Sequence, residues 1–196
     1  MNPTTPKSFL VAILLTALVL PGASWGQVWA PVPSPMPAPA PVPPPLPPGP
    51  GASILAEVEA IIYQFTNEIR VKHNFAPVAR DPALEALARS HCQDMLQRRY
   101  FSHNTPEGLA PQDRVMPRYP YQIYRLGENI WKGFNQSLDN PPGLARVIVD
   151  GWMNSPGHRD NIFCPDFTHV GIGVAVVGRD IRATQLFANL RGSNPF

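Results

Sequence analysis

Cysteine is scarce in this 196-residue sequence, which has only Cys92 and Cys164. Two cysteines form at most one internal disulfide, so a small disulfide-stapled scaffold is excluded. Charge is also scarce: charged residues make up 15% of the chain, the formal net charge is +2, and lysine and arginine are scattered along the sequence. Because no basic patch is present, we expect no nucleic-acid partner.

The apolar run nearest the N-terminus is short. It covers Phe9–Leu20, follows Lys7 and precedes a Pro-Gly break with small residues. A helix of about twelve residues spans about 18 Å, against roughly 30 Å for the hydrocarbon core of a bilayer. The layout is typical of a secretory signal peptide, which we place at residues 1–26. We therefore expect a secreted, periplasmic or envelope protein with no transmembrane span in the mature chain, the alternative being an uncleaved anchor.

Proline is concentrated in one tract. Twelve of the 26 prolines lie between Pro31 and Pro50, without the glycine period of collagen. Proline fixes φ and removes amide donors, so the tract favours a polyproline II spacer about 60 Å long at about 3.1 Å per residue. We place this linker at residues 27–52 and expect no catalytic chemistry in it.

Apolar spacing predicts three main helices in the remaining segment, residues 53–194. The first begins near Ile54, where apolar residues recur at three- and four-residue steps. Asp81 with Pro82 and Asn140 with Pro141 are typical helix starts. The predicted wet side of the first helix holds four charged residues: Glu57, Glu59, Glu68 and Arg70. The predicted buried faces of the other two hold Leu84, Leu87, Ala88, His91, Cys92 and Met95, and then Leu144, Val147, Ile148 and Trp152.

Strand-like segments come late in the chain. Val170 to Gly178 and Ile181 to Leu190 flank Arg179-Asp180 and predict an antiparallel hairpin, and a shorter strand candidate covers Leu126 to Trp131. Helices followed by a small antiparallel sheet predict an α+β domain.

Standard catalytic motifs are missing. The sequence has no HExxH, no Cys-x-x-Cys and no phosphate-binding glycine loop. What remains are polar side chains in predicted loops between apolar elements: Phe101-Ser102-His103, Gly127-Glu128-Asn129 and the segment from Trp152 to Ile162. Imidazoles and a carboxylate from separate segments could bind a zinc-like cation or form a hydrogen-bonded cleft, and spacing alone does not choose between them.

The order of the motifs FSH, GENIW, WMNSPGHRDNI and HVGIGVAV resembles that of the CAP superfamily, also called SCP domains, in its bacterial branch. The resemblance runs from about Ile54 to Leu190. It implies an α-β-α sandwich with a small antiparallel sheet between helical layers, and so a CAP domain at residues 53–194.

The resemblance also implies a central cleft with two histidines and two glutamates. His103 and His158 match the histidines, and Glu128 matches the first glutamate. The second glutamate position holds Ser155, whose hydroxyl supplies no negative charge. The cleft residues implied are thus His103, Glu128, Ser155 and His158, and a divalent metal such as zinc would have His103, His158 and Glu128 as its protein ligands.

Cys92 and Cys164 have two predicted states. In an oxidising compartment they could pair, closing a loop that restricts the unfolded chain by roughly 4 kcal/mol in the entropic model. Alternatively they are separate buried thiols, because Cys92 lies on an apolar helix face. Export favours the disulfide.

These features favour a monomeric binding module rather than an enzyme, with no cofactor required. The resemblance implies a lipid, cell-wall or protein ligand. The alternative is a metal-assisted hydrolase that uses His103, Glu128 and His158.

Overall fold

The computed structural model describes residues 54–119 and 122–190. The signal peptide predicted at residues 1–26 and the linker predicted at 27–52 lie outside these residues. Within them, no helix is long and apolar enough to span a bilayer. The helices are α1 Ile54–Lys72, α2 Pro82–Gln97, α3 Pro111–Val115, α4 Pro141–Met153 and α5 Pro156–Ile162, with a 3₁₀ turn at Met116–Arg118. The strands are β1 Ala79–Arg80, β2 Arg125–Phe134, β3 His169–Val177 and β4 Asp180–Asn189.

The predicted helix starts are confirmed. The Asp81 side chain accepts a 2.8 Å hydrogen bond from the Leu84 amide, and Asn140 caps α4 in the same way through Gly143. Both caps satisfy amides that the first turn of a helix leaves free. The structure adds α5, a short helix in a segment predicted as a loop.

The sheet has the strand order β1-β3-β4-β2. β3 and β4 form the predicted antiparallel hairpin, and Gly178 at its turn has a φ of +61°. β2 pairs antiparallel with β4 over its whole length, whereas the two-residue β1 pairs parallel with β3. The predicted antiparallel sheet is therefore present with one short parallel strand added at its edge.

Helices cover both faces of the sheet, which gives the predicted α-β-α sandwich. Because strand side chains alternate between faces, Ile181, Ala183 and Phe187 of β4 join the cluster that holds α1 and α4. Leu186 and Ala188 join the opposite cluster, with Leu84 and Ala88 of α2 and Val115 of α3. The candidate site is built where β2, one edge of this sheet, meets α2, α3 and α5.

Two burial predictions are wrong for α1. Glu59 and Arg70, expected on the wet side, are 2% and 0% exposed. Glu59 Oε1 accepts the Val174 amide of β3 at 2.9 Å. Arg70 donates to the carbonyls of Ala76, Ile162 and Cys164 at 2.6 to 3.0 Å. Helical periodicity separates polar from apolar residues, so it predicted both side chains on the exposed side. They are buried because backbone groups of other segments form hydrogen bonds with them.

One apolar prediction is also wrong. Val147 of α4 is 46% exposed, while Leu144, Ile148 and Trp152 are buried as expected. Ala145 and Val149 take the remaining buried positions, so the buried stripe of α4 is displaced by part of a turn from Val147.

The structure does not form the disulfide between Cys92 and Cys164. Both are free, buried thiols. Cys92 lies on the buried face of α2, in contact with Met95 and Ile130, and its Sγ donates to Thr184 Oγ1 at 3.1 Å. Cys164 belongs to the cluster on the other face of the sheet. The sheet between the two clusters keeps the thiols apart, which agrees with the alternative of two separate thiols.

Candidate functional site

His103 and Glu128 form the centre of the site. His103 lies in the loop between α2 and α3, and Glu128 lies in β2. Nδ1 of His103 is 2.8 Å from Oε1 of Glu128. The His103 side chain is 45% exposed, whereas that of Glu128 is 2% exposed. Because a carboxylate only accepts hydrogen bonds, the proton of this contact lies on Nδ1 of His103.

Arg114 of α3 fixes the other side of the carboxylate. Its Nη2 donates to Oε2 of Glu128 at 2.6 Å and to the backbone oxygen of His103 at 3.1 Å. The Arg114 side chain is 9% exposed, so the ion pair is nearly buried. Both carboxylate oxygens are therefore engaged, and the same guanidinium holds the loop that carries His103.

His91 of α2 supports the loop from beneath. Its Nε2 lies 3.2 Å from the backbone oxygen of Ser102 and 4.0 Å from Oε1 of Glu128. Burial lowers the pKa of His91, with the positive charge of Arg114 acting in the same direction and Glu128 opposing it. A neutral ring donates from Nε2 to the Ser102 carbonyl and so anchors the residue next to His103.

His158 faces His103 from α5. The two ring centroids are 5.9 Å apart, and the planes are inclined by 54°. Burial lowers the pKa of His158, as does the positive charge that His103 can carry, while Glu128 raises it. We call His103, Glu128 and His158 together the histidine cleft. Its two imidazole rings lie beside one buried carboxylate.

Two asparagines hold α5 against β2. Asn129 donates from Nδ2 to the His158 backbone oxygen and to Gln185 Oε1, both at 3.0 Å. Asn161 donates to Asn129 Oδ1 at 2.9 Å and to the Glu128 backbone oxygen at 3.2 Å. The position of His158 relative to β2 is thus fixed through its backbone oxygen.

The structure brings together three of the four predicted cleft residues. Ser155 precedes α5, and its side chain does not cap the helix. Its backbone oxygen accepts the Arg159 amide at 2.9 Å. Ser155 makes no side-chain hydrogen bond to His103, Glu128 or His158, so its role in the cleft stays a prediction. Of the residues expected in loops, only His103 lies in one: Glu128 lies in β2, which contains the strand candidate Leu126 to Trp131, and His158 lies in α5.

The geometry does not suit the predicted three-ligand metal site. Both oxygens of Glu128 are hydrogen-bonded, one to His103 and one to the Arg114 cation. Of the three predicted metal ligands, this leaves only the two imidazoles. Across the described ranges, no cluster of three or more His, Cys, Asp or Glu side chains has the arrangement of a metal site. Zinc sites in proteins generally have at least three protein ligands.

The sequence did not indicate that Arg114 or His91 contributes to the site. His91 was placed on the buried face of α2, with no sign that its ring supports the His103 loop. Arg114 follows Pro111 in a short helix of unremarkable composition, and it reaches Glu128 only through the fold. No spacing signal links either residue to the cleft.

The family model of the CAP proteins, the cysteine-rich secretory protein family, matches residues 63–187. This chain belongs to the CAP family. The match contains all three residues of the histidine cleft and almost the whole sandwich.

Two curated Bacillus subtilis proteins are similar to this CAP chain. The uncharacterized protein YkwD is 35% identical over 126 residues, covering 64% of this chain and 46% of YkwD. The uncharacterized membrane protein YlbC is 35% identical over 116 residues, covering 59% of this chain and 31% of YlbC. The chain therefore spans less than half of either relative.

Solved structures show the same fold. An extracellular protein containing an SCP domain from Bacillus anthracis is 32% identical, with a TM-score of 0.55, covering 68% of this chain and 41% of that one. An outer surface protein of Borrelia burgdorferi is 21% identical, with a TM-score of 0.59, covering 69% of this chain and 94% of that one. The bacterial relatives agree with the bacterial branch of the family.

Proposed function

We propose that this CAP domain is a binding module that acts outside the cytoplasmic membrane, and that His103 and His158 recognise a polar group of its ligand. The bonding of Glu128 carries this proposal, because it holds His103 in one orientation while both of its oxygens stay occupied. The half-exposed ring of His103 then offers Nε2 to a ligand beside His158. Such a preorganised pair reduces the entropic cost of binding.

Export is part of the same proposal. The predicted signal peptide at residues 1–26 supports it, as does the similarity to the Bacillus anthracis protein described as extracellular. The proline tract would then hold the domain away from the membrane or wall. Fusing residues 1–52 to a reporter enzyme and assaying the medium and cell fractions tests this step, and a reporter retained in the cytoplasm contradicts it.

The binding role is tested with surface materials as probes. Purified peptidoglycan, vesicles of phosphatidylglycerol and phosphatidylethanolamine, and intact cells separate cell-wall, lipid and protein ligands. We expect the full chain to cosediment with one of them and the His103→Gln/His158→Gln variant to lose most of that binding. His73→Gln is the matched control, because His73 lies at the end of α1 and packs on Phe163. Equal binding by the wild type and the double variant would contradict a role for the cleft.

The proposed function requires no resident metal, which separates it from a metal-assisted hydrolase. Elemental analysis of the purified chain and thermal melts during zinc titration test this point. We expect less than one zinc per chain, and no larger rise in Tm for the wild type than for His103→Ala. Stoichiometric zinc that is lost in both His103→Ala and His158→Ala would overturn the metal-free proposal.

A further inference from the structure

The strand β2 forms one edge of the sheet, because the strand order is β1-β3-β4-β2. Successive residues of an antiparallel strand direct their backbone N–H and C=O groups to opposite sides. The backbone oxygen of Glu128 accepts a hydrogen bond from Asn161 of α5, so the backbone of Glu128 faces away from β4. Lys132 lies four residues further along β2, so its backbone faces outward as well.

The contacts of β3 give the same direction for Lys132. The Val174 amide donates to Glu59 and so faces away from β4, in which Val174 lies opposite Ala183. Ala183 therefore directs its backbone towards Trp131, its partner in β2. The next residue of β2, Lys132, faces outward. In the part of the chain that the structure describes, no other element bonds to the backbone N–H or C=O of Lys132.

The side chains of Lys132 and Arg182 form a like-charge pair beside this edge. The two residues lie directly opposite each other in β2 and β4. Like charges in such positions destabilise a sheet. The ring of Phe101 lies near both cations, with its centroid 5.1 Å from Nζ of Lys132 and 5.9 Å from Cζ of Arg182.

One of these two cations has no carboxylate partner. Nη1 of Arg182 lies 3.4 Å from Oδ1 of Asp180, whereas Lys132 forms no ion pair with any described residue. The pair therefore carries one positive charge in excess, at the position where the backbone of β2 is open. An acidic side chain on a strand added at this edge would lie opposite Lys132 and neutralise the excess charge.

Apolar residues lie on both sides of Lys132 on the same face of β2. Ile130 and Phe134 are two residues away in either direction, and strand side chains at this spacing share a face. Phe134 is 63% exposed. An added strand would thus meet a cation at its centre and apolar side chains two residues away on either side.

We propose that residues 130–134 of β2 bind an extended acidic peptide, which adds a strand to the sheet and places a glutamate or aspartate opposite Lys132. Backbone hydrogen bonds then supply affinity, and alternate side chains supply specificity. A second copy of β2 centred on Lys132 would place two lysines opposite each other, which disfavours self-pairing. An anionic lipid leaves the open backbone groups without partners. The site goes beyond the proposed function, since it shares no residue with the histidine cleft.

Four synthetic peptides test this assignment. The probe is the acetylated and amidated heptapeptide Thr-Val-Thr-Glu-Thr-Val-Thr, whose symmetry suits either strand direction. Two further peptides have glutamine or lysine in place of glutamate, and the fourth has its three central amides N-methylated. We expect the full chain to bind the glutamate peptide about two- to fivefold more tightly than the glutamine peptide, and the lysine peptide most weakly. Equal Kd values for these three overturn the acidic assignment, and undiminished binding of the N-methylated peptide overturns strand addition.

Hydrogen exchange measured by NMR locates the bound peptide. The Lys132 amide should exchange more slowly when the glutamate peptide is bound, whereas the Trp131 amide, which faces β4, should not change. Unchanged exchange at Lys132 overturns strand addition. Shifts confined to the rings of His103 and His158 would place the peptide in the histidine cleft and overturn the proposal as well.

Variants of the edge complete the test. Lys132→Gln should remove the difference between the glutamate and glutamine peptides, whereas Lys72→Gln, the same change at the end of α1, should keep it. Phe134→Ser should weaken both peptides, and Val147→Ser is its control, because Val147 is an exposed apolar residue of α4. Equal effects of the edge and control variants overturn the proposal. Binding to phosphatidylglycerol vesicles that Lys132→Gln abolishes, without peptide binding, would assign the cation to an anionic lipid instead.

Discussion

Arg114 and Glu128 form a nearly buried ion pair, with Nη2 and Oε2 2.6 Å apart and side chains 9% and 2% exposed. The pair joins α3 to β2 and carries the loop of His103 between them. A buried pair of this kind is costly to break from one side, because the remaining charge has neither water nor a partner. The position of His103 therefore depends on this ion pair. The stability of the fold depends on the same two charged residues.

Removal of Glu128 should destabilise the protein strongly. We expect Glu128→Ala to lower the free energy of unfolding by about 3–5 kcal/mol, because the Arg114 guanidinium stays buried without its carboxylate. Urea denaturation followed by circular dichroism measures this loss. The Glu128→Ala/Arg114→Met variant should recover part of it. A double variant that is less stable than the sum of the single changes would argue against the ion pair as the cause.

Glu59 should behave as a buried structural residue rather than a surface one. Its Oε1 accepts the Val174 amide of β3, and its Oε2 lies 2.6 Å from Nη2 of Arg89 in α2. We expect Glu59→Ala to lower the free energy of unfolding by about 1–3 kcal/mol, since a buried amide loses its acceptor. Glu57→Ala, two residues earlier on the same helix, is the control and should change stability by less than about 0.5 kcal/mol. Equal losses in both variants would contradict this assignment.

Local signals in the sequence predicted the main helices and strands, although not α3, α5 or the two-residue β1. The caps at Asp81 and Asn140, the hairpin at Gly178 and the spacing of α1 depend on neighbouring residues, so pattern and turn chemistry predicted them. Glu59 and Arg70 were misplaced because their partners lie up to 115 positions away in the chain. Polarity alone does not show whether a side chain meets water or a distant backbone group.

The sequence predicted only part of the site. His103, Glu128 and His158 came from ordered motifs that resemble a family, and the structure places them together. Arg114 was not predicted, although it determines whether the carboxylate can bind a metal. A short helix without a motif gives no sequence signal for the residue that its arginine contacts.

The thiol content should show two unpaired cysteines. In denaturant without reductant, a thiol reagent should titrate two groups per chain, because Cys92 and Cys164 lie in clusters on opposite faces of the sheet. In the native protein Cys92 should react extremely slowly, since burial raises the pKa of its thiol to about 12 and little thiolate forms. The absence of titratable thiols in the unfolded, unreduced chain would show instead that Cys92 and Cys164 form a disulfide.

His91 should make stability depend on pH in the acidic range. Its pKa in the folded protein lies below the usual value of 6.5, chiefly through burial. The unfolded chain therefore binds more protons as the pH falls through 6.5, and the free energy of unfolding decreases until the lowered pKa is passed. Above pH 6.5 this contribution is constant. His91→Gln, which keeps a donor for Ser102, should lose less stability between pH 7 and pH 5 than the wild type in urea titrations. Parallel curves for both proteins would show that His91 does not contribute.

Gly173 should tolerate no side chain, because α2 lies directly on β3 there. A Cβ on Gly173 would come within 2.2 Å of the Arg89 backbone nitrogen and 2.5 Å of the Ala88 carbonyl carbon. These are backbone atoms of a helix, so relief requires α2 to move from the sheet. We expect Gly173→Ala to lower the free energy of unfolding by about 1–3 kcal/mol. Gly157→Ala is the control: no atom lies within 4 Å of its Cβ position, and it lies in α5, where alanine is preferred by up to about 1 kcal/mol. Opposite signs for the two substitutions in urea denaturation would confirm that close helix-sheet contact requires the glycine in β3. A neutral Gly173→Ala would show that α2 can shift without loss of packing.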